Sequence, residues 1–68
     1  MLIKVIEFTG TSRHNWTDAV DNAVIDASSV NKNNNIIGVE VTNFKASVKD
    51  GHIDEYQANV RISFEIKK

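Results

Sequence analysis

Between residues 55 and 67 apolar and polar side chains alternate without a fault. Tyr56, Ala58, Val60, Ile62, Phe64 and Ile66 are separated by Glu55, Gln57, Asn59, Arg61, Ser63, Glu65 and Lys67. A period of two sends successive side chains to opposite faces of a strand. This strand therefore has one wholly apolar face and one polar face. A sheet built on it has a face to bury, and some other part of the chain must cover it.

The cover lies upstream. From Trp16 the period changes: Trp16, Ala19, Val20, Ala23, Val24, Ala27 and Val30 recur at helical spacing and form one stripe. Asn15 stands where a cap can accept from the first-turn amides, and Asp18 suits the same end of the helix dipole. Thr17, Asp21, Asn22, Asp26 and Ser29 fill the opposite, water-compatible face. The asparagine run from Asn31 to Asn35 ends the periodicity. Asparagine tolerates the left-handed conformation that stops a helix, and Lys32 suits its negative end.

Two more segments read as strands. Residues 2–9 are rich in Ile3, Val5, Ile6 and Phe8, and Gly10 reads as their stop. Their apolar residues fall on both faces, so neither face is expected to stay fully wet. Residues 36–41 place Val39 and Val41 on one side and Gly38 and Glu40 on the other. Asp50-Gly51 then supplies a hairpin turn before the last strand. The order is β-α-β-β: an α+β fold, a three-stranded antiparallel sheet wrapped around one amphipathic helix, in a single domain over residues 1–68.

With 68 residues and no cysteine, the chain has neither a disulfide framework nor a Cys/His zinc pattern. A core this small rarely supplies more than about 3–5 kcal/mol, so self-association is the starting expectation. The polar sheet face, which no second helix covers, is where copies are expected to pack. The N-terminal residues lack a basic segment, apolar run and cleavage site, and no apolar stretch reaches spanning length, which reads as a cytoplasmic protein without a membrane partner. Net charge is −1 and the basic residues are scattered, which argues against nucleic acid as a partner. His14 and His52 stand alone beside a helix start and a turn, and Thr11 and Ser12 have ordinary work near a helix start, so no catalytic group emerges. Asp18, Asn22 and Asp26 align oxygens along the helix, but a straight face does not provide calcium's six to eight ligands.

Taken together, Lys4-Val5-Ile6-Glu7 leading to Gly10-Thr11-Ser12, the helix from Trp16, Val39-Glu40-Val41, Tyr56-Gln57 and Phe64-Glu65-Ile66 resemble the dodecins. These are small subunits that assemble as hollow dodecamers and bind flavins. The resemblance covers nearly the whole chain, with a short surplus in the Asn-rich loop. It implies a non-catalytic homo-oligomer, a dodecamer, that stores or sequesters a small ligand, with riboflavin or FMN as the cofactor class. In flavin-binding members a tryptophan stacks on the ring and a glutamine meets its edge. The glutamine matches Gln57, whereas the tryptophan position is Gly38. Lys45 keeps the positive charge found at a phosphate-side position, while Glu65 places a negative charge at another. Gln57, Gly38 and Lys45 are thus the candidate ligand-binding residues. A branch without the stacking tryptophan, described as calcium-binding, also has tryptophan at the helix start. It implies the alternative: a shell that has lost flavin and serves as a structural or calcium-binding assembly.

Overall fold

The structure, a computed structural model, describes residues 1–66; Lys67, which closes the alternating run, lies outside the described residues. Strand β1 (Leu2–Ser12) leads to helix α1 (Trp16–Val30), followed by β2 (Asn35–Lys49) and β3 (His52–Ile66). The sheet order is β1-β3-β2 and both pairings are antiparallel. The strand with the strict alternation is therefore central. Its apolar face carries Ala58, Val60, Ile62 and Phe64, all buried beneath α1.

The helix contributes its narrowest stripe to that core. Ala19, Ala23 and Ala27, one turn apart, are fully buried, while Val20 and Val24 flank them half-buried. Among the described residues, four of the seven buried hydrophobic side chains are alanines, so packing depends on close approach more than on large side chains. Gly10 permits that approach. A Cβ there would overlap the Ala19 carbonyl oxygen and come 2.7 Å from Ala23 N. The expectation that Gly10 ends β1 is corrected accordingly: the strand runs through it to Ser12, and the missing side chain is what lets the helix lie down.

The helix start is as expected, with Asp18 N donating to Asn15 Oδ1 at 2.7 Å. The stop differs. Asn31 has φ −127°, outside the left-handed region, and both its N–H and its Nδ2 donate to Ala27 O, at 3.1 and 3.3 Å. The turn at Asp50 and Gly51 has positive φ at both residues, 53° and 77°, the signature of a two-residue hairpin turn matched to sheet twist.

Strand β2 extends well beyond residues 36–41. Bulges at Ile37 and Thr42 break its alternation, and Asp54 is the extra residue opposite Ser47 and Val48. The resulting hairpin outruns the helix. Fifteen strand residues span about 50 Å, whereas a helix of fifteen residues covers about 22 Å. The molecule is accordingly elongated, 51 × 19 × 13 Å. Trp16 lies at the border of the covered region and is 37% exposed, not buried as its place in the stripe suggests. It packs edge-on against Tyr56 and Phe44, with centroids 4.8 and 5.2 Å away.

Candidate functional site

Register sorts the polar face of the sheet into rows. Across β1, β3 and β2 these are Ile3, Glu65 and Asn35; Val5, Ser63 and Gly38; Glu7, Arg61 and Glu40; Thr9, Asn59 and Asn43; and Thr11, Gln57 and Lys45. Directly opposed residues in an antiparallel pair point to the same side. This outer face is mixed, since Ile3 and Val5 are more than half exposed upon it. The apolar residues that β1 carries on both faces thus divide as expected, with Ile6 and Phe8 turned toward the helix.

Two of the three candidate residues come together. Lys45 and Gln57 are direct cross-strand partners, and with Ala46, Ser47 and Glu55 they line a shallow depression of about 290 Å³. Gln57 is half-buried there and Lys45 exposed. Gly38 is elsewhere. It pairs with Ser63, six residues along β3 from Gln57, which places the two about 20 Å apart. Glu65 lies at the Gly38 end, next to Ile3. Within one chain, then, Gln57 and Gly38 do not share a site.

Gly38 also has open surroundings, for a Cβ built on it would meet nothing within 4 Å. A close backbone approach, one common reason for a glycine inside a strand, therefore has no counterpart at Gly38 within the chain. That role belongs to Gly10.

Sequence reasoning passed over the residues that hold Gln57. Its Nε2 donates to Asn59 Oδ1 at 3.3 Å, and the same oxygen accepts from Thr9 Oγ1 at 3.0 Å. The available signal was spacing: Gln57 and Asn59 are two apart on a strand, hence neighbours on one face. On the same face Arg61 Nε donates to Glu7 Oε2 at 3.4 Å, an exposed pair worth little by itself.

Two of the three helix residues considered for a cation are engaged at the β1–α1 corner. Asp18 Oδ2 accepts from Ser12 Oγ at 2.7 Å, and Asn22 Nδ2 donates to Thr11 O at 2.8 Å. Ser12, 6% exposed, also accepts from the backbone N–H of His14 and Asn15. These residues fasten the β1–α1 corner. Among the described residues no group of three or more His, Cys, Asp or Glu side chains is disposed to hold a metal ion. No helix among them is long and apolar enough to cross a membrane.

The fold is one already seen in solved structures. Dodecin from Streptomyces davaonensis superposes with a TM-score of 0.91 at 24% identity, covering 98% of this chain and 96% of the other. Dodecin from Streptomyces coelicolor gives 0.89 at 28% identity, covering 98% and 93%. An arginine-to-alanine mutant of the Thermus thermophilus dodecin gives 0.89 at 21% identity, covering 98% and 97%. No curated protein sequence matches the chain. The Dodecin family model matches residues 2–67, nearly end to end, and the chain belongs to the dodecin family.

Proposed function

We propose that this chain assembles into a closed shell of identical subunits, a dodecamer, that binds a flavin between copies and holds it without turning it over. The observation that carries the ligand class is Gln57, which matches the family's edge-binding glutamine and stands half-buried on the sheet face opposite Lys45. Its amide offers both a donor and an acceptor, the complement of a ring edge in which an imide N–H lies between carbonyls. Because Gln57 and Gly38 are about 20 Å apart in one chain, a site using both positions needs two copies. Glu65 at the Gly38 end disfavours a phosphate there, so riboflavin is the preferred ligand over FMN.

Assembly itself is supported by what the subunit fails to bury. Its radius of gyration is 13.5 Å, against about 11 Å for a globular chain of this length. Ile3, Val5, Ile37, Val39, Phe44, Val48 and Ile53 are all 45% exposed or more. Such an apolar surface is normal at an interface and costly in water.

The deciding experiment incubates the purified oligomer with riboflavin and with FMN and follows ligand fluorescence and co-elution. Quenching and co-elution, stronger for riboflavin, are expected. Flavin that stays bright and separates freely would sink the flavin reading and leave a shell whose stacking position is vacated at Gly38.

A further inference from the structure

The two hydrogen bonds that converge on Asn59 have a consequence for the ligand. Asn59 lies on β3 between Thr9 of β1 and Asn43 of β2, on the same face as Gln57. Its Oδ1 accepts from Thr9 Oγ1 at 3.0 Å and from Gln57 Nε2 at 3.3 Å. A glutamine amide is nearly symmetric in shape and can turn over at little steric cost, so which end it presents is decided by its partners. With one Nε2 hydrogen committed to Asn59, the Oε1 acceptor and the second Nε2 hydrogen face away from that bond. Lys45, opposite Gln57, supplies donors only, so it leaves the demand for an acceptor in this row to Gln57.

We propose that Asn59, held by Thr9, is a positioning residue that fixes the Gln57 amide with its carbonyl oxygen outward, so that the site selects a ligand edge carrying an N–H donor beside an acceptor. This rests on the flavin reading above and adds to it a specificity that Gln57 alone does not define. Asn59 does not touch the ligand. It acts through the Oδ1 acceptor it presents: the reversed Gln57 amide would set its own carbonyl oxygen against Asn59 Oδ1 and meet a flavin imide N–H with another N–H.

The test compares riboflavin with N3-methylriboflavin, which keeps the ring but lacks the imide hydrogen, on the intact oligomer. The wild type is expected to bind riboflavin about tenfold more tightly than the methylated analogue. Asn59→Val removes the acceptor and is expected to erase this discrimination, chiefly by loss of riboflavin affinity. Asn59→Asp, which can only accept, forces the proposed orientation and is expected to preserve it. Thr9→Val, which frees Asn59, is expected to give an intermediate ratio. Light scattering on each variant keeps a loss of assembly separate from a loss of selectivity. If wild-type oligomer binds riboflavin and Asn59→Val discriminates as well as wild type, or Asn59→Asp loses the discrimination, the positioning role is overturned while the flavin reading stands. If the wild type binds neither flavin, both are overturned together.

Discussion

At the scale of single residues, two glycines meet opposite surroundings and should respond oppositely to the same substitution. Gly10 lies under the helix, and Gly10→Ala drives a methyl into the Ala19 carbonyl and the Ala23 backbone, neither of which is a flexible end that can swing away. Overpacking of this kind costs about 1–3 kcal/mol, and a loss at the upper end is expected, seen as a fall in melting temperature of about 10 °C or more. Gly38 has room, and its φ is not positive, so Gly38→Ala should be neutral or stabilising by about 0.4–1 kcal/mol in the same measurement. The same open space makes Gly38→Trp informative. A stacking aromatic is worth roughly 1–3 kcal/mol, so a gain of about tenfold or more in riboflavin affinity is expected by fluorescence titration. No gain would mean that the interface around position 38 has been rebuilt beyond the loss of one side chain.

At the scale of elements, the corner between β1 and α1 is held by polar contacts that the apolar pattern does not reveal. Ser12 is buried, accepts from two backbone N–H groups and donates to Asp18, while Asn15 caps the next turn. Ser12→Ala leaves the His14 amide and the Asp18 carboxylate short of a partner, and a loss of about 1–3 kcal/mol is expected. Asn15→Ala should cost about 1 kcal/mol, because its cap is exposed and water replaces it in part. Thermal melts that rank Asn15→Ala as the more damaging would show that the helix end, not the buried corner, limits stability. The elements differed in how openly the sequence announced them, and for physical reasons. Strand β3 and helix α1 were plain because each buries one continuous face, which imposes an unbroken period. Strand β2 was cut short because bulges at Ile37 and Thr42 shift its phase, so that Val41 and Phe44 share a side although an odd number of positions separates them. The candidate site was obscured in the same way. Counted straight back from the Asp50–Gly51 turn, Lys45 would face Tyr56; the extra residue Asp54 moves it opposite Gln57. Asn59 escaped notice because its role depends on Thr9, fifty residues away in sequence and adjacent only through the register of β1 on β3.

At the scale of the whole molecule, the subunit is a sheet that its single helix only half covers. Burying Val60, Ile62 and Phe64 contributes about 1.5–3 kcal/mol each, and the buried alanines add little beyond permitting contact. Against this stands the ordering of every strand residue in a hairpin that projects past the helix. Such a subunit is expected to draw stability from its copies, and two consequences can be measured. Its melting temperature should rise with protein concentration, as mass action requires when folding and association are linked. A charge placed on the outer sheet face should weaken assembly before it disturbs the helix-side core. Val5→Glu is suited to this, because Val5 is 54% exposed, opposes Ser63 and lies on the face away from α1. In light scattering the variant should populate smaller species than wild type at equal micromolar concentration, with far-ultraviolet dichroism retained wherever those species remain folded. A wild-type chain that scatters as a monomer at that concentration, with a concentration-independent melt, would instead mean that the half-covered sheet is stable alone. The exposed apolar residues of β1 and β2 would then need another explanation than contact between copies.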